Sequence, residues 1–304
     1  MGFTNAQRIS VVSPNGETAL YTDLNLAIQG AQAGSTIYLP SGGFQLSDAT
    51  KITKKLTIMG VGHRSNNDNP DGYTLVSGNL FFEEGSDGSA VLGLYLSGTV
   101  NIGTSTTAVN DFLLRYCNVY IINVQNSNCQ GIEINQNYLR NSSNGSGSPI
   151  IFSNNILYSL WNINGGVIKN NIIVYNISPL RSLSGCQIYN NIIFCASQTS
   201  NDVWGSVFEK NLGTEWIADT KVSNWADIFE GPYSGINPNN NYNLKPGAPG
   251  KNAGTDGKDI GIYGGSGFKD TALPPGPRIV ASKIADQTDA SGNLSVEITV
   301  SVEQ

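Results

Sequence analysis

Five asparagines recur at near-regular intervals in the middle of the chain. They are Asn137, Asn155, Asn171, Asn191 and Asn211, with successive gaps of 18, 16, 20 and 20 residues. The local strings are IEINQNYLR, IIFSNNILY, GVIKNNIIV, CQIYNNIIF and SVFEKNLGT. Three residues before each asparagine stands an apolar residue: Ile134, Phe152, Ile168, Ile188 and Phe208. One residue after stands another: Tyr138, Ile156, Ile172, Ile192 and Leu212. Asparagine is a poor strand former, and a buried amide without partners costs about 1–3 kcal/mol. A chain that repeats it inside strand-like runs must supply those partners each time.

A repeat of about 20 residues with strand patterning on both sides of a polar corner is the mark of a solenoid. The L-x-x-L-x-L spacing of leucine-rich repeats is missing, and helical repeats need longer periods. A parallel β-helix fits, with equivalent positions of successive coils stacking about 4.8 Å apart. Each asparagine then turns a corner and points into the stack, where it bonds its own turn and the next asparagine. The competing reading is a pair of solvated turn residues per coil; the flanking apolar columns favour the ladder. The preceding position is mixed (Gln136, Asn154, Asn170, Asn190, Lys210) and reads as an outward turn residue. An earlier coil around RYCNVYI fits with Asn118 in the column.

The composition agrees. The chain has 304 residues, 39% hydrophobic, with 35 glycines and only 13% charged residues. That suits many short strands and polar turns. Net charge is −6, and no Lys/Arg-rich run occurs, which argues against a nucleic-acid partner. Cys117, Cys129, Cys186 and Cys195 form no CxxC pair and there is one histidine, so a zinc cluster is not expected. The cysteines read as small buried hydrophobes, with a disulfide left open. No apolar run is long enough to form a transmembrane segment, and no signal peptide is visible.

The ladder strings, together with LYTDLNLAIQGAQAGSTIYLPSGGFQLS and KKLTIMGVG, resemble the right-handed parallel β-helix proteins of the pectate-lyase-like superfamily. The resemblance spans roughly residues 15–265 and is specific for architecture rather than activity. It implies an all-β, single right-handed parallel β-helix. It also implies a secreted, periplasmic or cell-surface bacterial protein with a polysaccharide or other glycan as partner.

Solenoid ends need caps. In TDLNLAIQGAQAG, Leu24, Ala27, Ile28 and Ala31 follow helical spacing, with Thr22 or Asp23 as N-cap and Gly34 as terminator. STIYL and KLTIMG read as strands of the first coils. Beyond Asn211 the Gly/Asn/Pro-rich segment through DIGIYGG reads mostly as loop, with tight turns at Gly261, Gly264 and Gly265. The β-helix domain is assigned to residues 1–272. A Pro-rich linker and β-rich tail occupy 273–304, where Leu294, Val296, Ile298, Val300 and Val302 alternate as one arm of a hairpin turned at ASGN.

Stacked coils line up side chains into rows. Ten residues before the ladder lie Trp161, Arg181 and Asn201, with Asp202 and Trp204 nearby. An aromatic ring stacks on sugar C–H faces and an arginine pairs with carboxylates. The bland reading is an ordinary surface row. If the chain is a lyase, the resemblance calls for a Lys or Arg base and a cation or Arg on the uronate carboxylate; Arg181 and Arg140 are the candidates, with no family motif around either. The alternative is a non-catalytic surface, adhesion or structural β-helix protein.

Other chemistries find less support. GVGHRS is not the GHG motif of the resembling hydrolases, and no Asp-Asp pair occurs. Asp111 with Glu133 is the carboxylate pair that stacking brings nearest, and both read equally as surface charges. His63 lacks a G-x-S-x-G partner and reads as a loop residue. NNDNPDG, Asn66 to Gly72, half matches a calcium loop but has Gly78 where Glu is required. No metal site is assigned; Ca2+ is the one cofactor left open.

Overall fold

The structure, a computed structural model, describes residues 8–64, 72–231, 236–269, 276–284, 287–288 and 291–303. The chain winds as a parallel β-solenoid of about nine turns. One sheet of 11 strands forms one side, and a 14-stranded sheet forms the others. Within the solenoid the pairing is parallel and nearly in register. Ile134 lies beside Phe152, Phe152 beside Ile168, Ile168 beside Ile188, and Ile188 beside Phe208. Each apolar residue three before a ladder asparagine therefore stacks on its equivalent, and the first four are buried.

The ladder sits at the corner between the sheets. Asn171 donates its main-chain N–H (2.9 Å) and its Nδ2 (2.9 Å) to Asn191 Oδ1. Its Nδ2 also reaches Phe152 O and Lys169 O, each at 2.9 Å. Asn155 makes the same pair of bonds to Asn171 Oδ1, at 2.9 and 3.0 Å. Asn137 bonds Asn155, and Asn191 bonds Asn211, in the same way. All five asparagines are fully buried. Each amide thus satisfies a corner that a strand ladder leaves open.

Both ends of the ladder use a different chemical group. At the lower end Asp219 Oδ2 accepts the Asn211 N–H at 2.9 Å in place of a further amide. At the upper end the rung is Cys117, not the expected Asn118. The Cys117 N–H donates to Asn137 Oδ1 at 2.9 Å, and its thiol reaches Arg115 O at 3.2 Å and Val91 O at 3.6 Å. The motif is offset by one because the corner needs a left-handed residue immediately before the rung. Tyr116 has φ 57°, as Gln136, Asn154, Asn170, Asn190 and Lys210 have φ 55–56°. Asparagine tolerates that region better than most residues.

The two apolar columns do not share one core. The residue two after each rung (Leu139, Leu157, Ile173, Ile193) enters the interior. The residue one after (Tyr138, Ile156, Ile172, Ile192, Leu212) faces outward into a second cluster with Val222, Ile228, Phe229, Tyr242, Leu244, Ile260 and Ile262. The segment beyond Asn211, expected as plain loop, folds back along the solenoid and covers this column. Asn190 exchanges bonds with Thr255 at 2.9 and 3.0 Å, and Asn154 Nδ2 donates to Ile262 O (2.8 Å) and Gly264 O (2.7 Å). Asn170, expected as an outward turn residue, is on the outer side of the corner but only 3% exposed, because this return segment lies on it. Gly261 has φ 94° and faces Ile192, while Gly264 is wedged between Asp259 O and Asn170 with no room for a Cβ.

The helix Leu24–Gly30 covers the upper opening, with Leu24, Ala27, Ile28 and Ala31 in the solenoid core. Asp23 caps it, its Oδ1 accepting the Leu26 N–H at 2.9 Å. Gly34 is not its terminator. The helix ends at Gly30, and Gly34 turns the chain into the strand Ser35–Tyr38, donating to Lys55 O at 2.7 Å. Ser35–Tyr38 and Leu56–Met59 pair in parallel as expected. Two further strands, Ile9–Val12 and Thr18–Tyr21, extend the 11-stranded sheet antiparallel at its upper edge. The tail strands Gly276–Ile284 and Val296–Glu303 pair only with each other, as an antiparallel two-stranded sheet.

Candidate functional site

Trp161 and Arg181 are register partners on adjacent strands, Leu160–Ile163 and Leu180–Arg181. The guanidinium lies 5.0 Å from the Trp161 ring centroid and 5.7 Å from that of Tyr175. It is held there by Nε donating to Ser178 O (3.0 Å) and Nη2 to Ile177 O (2.9 Å). Arg140 is set the same way two coils earlier. Its guanidinium lies 4.5 Å from Tyr95 and 5.5 Å from Tyr120, and Nη2 donates to Leu96 O at 2.7 Å. Tyr158, on the coil between, meets Tyr175, on the coil of Arg181, edge to face with ring centroids 6.4 Å apart.

These residues form one strip along the outer face of the larger sheet, beside the return segment. Counting three residues from each rung, with Cys117 as the first, gives Tyr120, Arg140 and Tyr158 in sequence. Further along the same count, Phe194 is covered by the stacked Trp225 at 3.7 Å. The strip is therefore open at its upper end and roofed at its lower end. Sequence reasoning missed these tyrosines because the row it followed lies ten residues before the rungs rather than three after them; with Asn118 as the early rung, Tyr120 also falls out of the column by one.

A second amide ladder runs beside the aromatic row. Asn123 donates to Asn101 Oδ1 (3.3 Å), Asn144 to Asn123 Oδ1 (3.2 Å) and Asn162 to Asn144 Oδ1 (3.0 Å). Asn101, Asn123, Asn144, Trp161 and Arg181 are successive register partners, so the amide row ends at the aromatic–cation pair. Unlike the corner ladder, this one becomes exposed as it descends: Asn101 is buried and Asn162 is exposed.

The electrostatics of the strip are one-sided. The chain segments 95–102, 118–125, 138–148, 156–163 and 172–183 contain no carboxylate, and their only charges are Arg140 and Arg181. Among the described residues neither arginine is in an ion pair; the two salt bridges are Lys51–Glu83 and Lys251–Asp259. In a chain of net charge −6 this face is a local cationic and aromatic exception.

The remaining candidates lie elsewhere. Asn201 and Asp202 occupy a short 3-10 helix, Ser200–Val203, that stacks on the strand of Arg181 through Leu183 N–H to Asp202 O at 2.7 Å. Trp204 is 75% exposed at the following corner, where its carbonyl accepts from Gly185, and not on the strip. Asp111 and Glu133 are exposed on adjacent coils, Glu133 on the outer face of the 11-stranded sheet. His63 is buried, and burial with the neighbouring Arg64 charge lowers its pKa to about 3, so it is neutral and shut away from solvent.

All four cysteines are buried and unpaired. Among the described residues no group of three or more His, Cys, Asp or Glu could hold a metal ion. The half-matching calcium loop lies at 66–72, of which only Gly72 is among the described residues. No described helix is long and apolar enough to cross a membrane. The fold and strip define a parallel β-solenoid with one open aromatic–arginine face. No family model matches the chain, and no curated protein is significantly similar to it in sequence.

Proposed function

We propose that the strip binds an extracellular polysaccharide lying along the coils, and that the protein works outside the cytoplasm. The observation that carries this is the composition of the open face: Tyr95, Tyr120, Tyr158, Tyr175 and Trp161 with Arg140 and Arg181, and no carboxylate. Aromatic rings supply faces for sugar C–H surfaces, the amide row supplies paired donors and acceptors, and preset side chains lower the entropy lost on binding. The export setting rests on the resemblance to secreted β-helix proteins.

A non-catalytic, glycan-holding role is the reading this face favours over cleavage. A glycosidase needs two carboxylates across the scissile bond, and the strip has none. A lyase needs a base free to reach a sugar proton, whereas Arg181 is tied to two main-chain carbonyls and Arg140 to one.

The test is a glycan array followed by titration of any hit with the Trp161→Ala and Tyr175→Ala variants. Each is expected to weaken binding about tenfold, equivalent to about 1.4 kcal/mol. Unchanged affinity in both would remove the strip as the site. Release of shorter or unsaturated products from the bound glycan would replace the holding role by an enzymatic one.

A further inference from the structure

We infer that the glycan on this strip carries an N-acetylated amino sugar, whose acetamido group continues the outer amide ladder. The inference rests on reading the strip as a polysaccharide site. The ladder has a fixed direction. At its top Asn101 Nδ2 donates to Leu80 O at 3.4 Å, and further down Asn144 Oδ1 accepts the Ser146 main-chain N–H at 3.2 Å. A carbonyl can only accept and an N–H can only donate, so neither amide can be turned round. Each rung therefore donates to the coil above, and the last rung, Asn162, is left with its Oδ1. Among the described residues no group donates to that oxygen, and Asn162 is exposed.

The ladder stops because the next coil has no amide to offer. Asn162 and Ser182 occupy equivalent corners, each one residue past the register pair Trp161 and Arg181, with φ 52° and 53°. Ser182 is exposed, and its side chain is too short to stand in for the next rung. Beside this end lies Arg181. Its Nε and Nη2 are held by main-chain carbonyls, which leaves Nη1 as a donor. The exposed indole of Trp161 is therefore flanked by an acceptor on its own coil and a donor on the next, with coils about 4.8 Å apart.

An acetamido group matches this arrangement because it repeats the chemistry of the rung that Ser182 lacks. It is planar, with its N–H and its carbonyl pointing in opposite directions. The N–H donates to Asn162 Oδ1, the carbonyl accepts from Arg181 Nη1, and the sugar and methyl group lie on the Trp161 ring. A carboxylate satisfies Arg181 but sets its lone pairs against the Asn162 oxygen. A hydroxyl at the same carbon is a single atom and reaches only one of the two groups. A polar group covered by ligand without a partner costs about 1–3 kcal/mol, so both alternatives bind less well.

The experiment compares a chito-oligosaccharide with a cello-oligosaccharide of equal length, by titration calorimetry on the full chain. The two share backbone and linkage and differ in one substituent per sugar, acetamido against hydroxyl. An oligogalacturonate of the same length supplies the acidic case. The chito-oligosaccharide is expected to bind at least about tenfold tighter than either of the others. Two variants, shown folded by circular dichroism, then read the rung itself. Asn162→Gly removes the acceptor and keeps the left-handed corner. Ser182→Asn gives the ladder its own next amide at a corner that asparagine tolerates. Each should bring the chito and cello affinities together. A preference that survives either change, or equal or tighter binding of the cello-oligosaccharide or oligogalacturonate, would overturn the inference and leave the polysaccharide reading standing. If none of the three binds, a glycan array whose hits lack N-acetylated sugars also overturns it, and a blank array removes both readings. Should neither variant fold, the comparison on the unmodified protein decides the matter by itself.

Discussion

Asn171 shows how much one side chain does in a solenoid corner. Its amide group accepts two bonds from Asn155 and donates to three oxygens, all within a fully buried site. Asn171→Ala leaves the Asn155 N–H and amide without their acceptor and takes one donor from Phe152 O and one from Lys169 O, the latter keeping the Asn154 N–H. The expected loss is at least about 1–3 kcal/mol, read from the urea midpoint. Asn170→Ala should cost less, on the order of 1 kcal/mol, because what it loses is mainly ease of adopting φ 56°. Asn170→Gly should be milder still. Cys117 is the residue the sequence pattern misplaced. A thiol fills an amide's position there, and nothing local marks it as equivalent to asparagine. Burial raises its pKa to about 12 from 9.0, so the thiol is neutral in the fold. The unfolded chain ionises from about pH 8.5 upward while the native one does not, so this group's stabilisation is full below that pH and is lost as pH rises towards 12. Cys117→Asn should keep the corner and flatten that alkaline loss, measured as urea midpoints at pH 8 and pH 10. In the native protein Cys117 should resist alkylation until denaturant is added.

At the level of elements, the return segment decides what the outer face becomes. The strands beginning at Tyr138, Ile156, Ile172, Ile192 and Leu212 are apolar on both sides, which reads in the sequence as continuous runs such as NIIV and NIIF. Such runs tell that both faces are buried, but not by what. The answer comes from Phe229, Tyr242, Leu244, Ile260 and Ile262, packed as a second core outside the solenoid. Phe229 is 1% exposed and stacks on Trp225, which in turn stacks on Phe194. Phe229→Ala is expected to cost about 3–5 kcal/mol. Because it loosens the cover rather than the coils, it should also raise binding of a hydrophobic dye before the far-ultraviolet signal of the sheets is lost. The helix at the upper end was readable from its spacing and cap, since both are local. Its end at Gly30 rather than Gly34 was not: Ala31 leaves the helix in an extended conformation, and Tyr21 packs over Gly30.

For the whole molecule, the tail and the solenoid are separate structural problems. The strands Gly276–Ile284 and Val296–Glu303 join neither large sheet, and Val296 and Val300 stay about half exposed. Ending the chain after residue 272 should leave the thermal midpoint of the solenoid unchanged; a clear fall would mean that the hairpin supports the coils. What the sequence by itself determined is the winding: coil length, the corner asparagines and the inward row at Ile134, Phe152, Ile168 and Ile188. These are set by a local period that every coil repeats, and satisfying a buried amide leaves few other solutions. It also placed Trp161 beside Arg181, ten residues from a rung. Only the tertiary structure decided which outer face is covered and which stays open. The chain beyond Val222 returns to residues up to 175 positions earlier: Arg64 donates to Pro238 O and Asn239 Oδ1, and Lys269 N–H donates to Gln136 Oε1. It roofs Phe194, leaves Tyr158 and Arg140 half-buried, and leaves Tyr120 exposed. No repeat period encodes that choice, because it depends on packing between segments that share no local pattern.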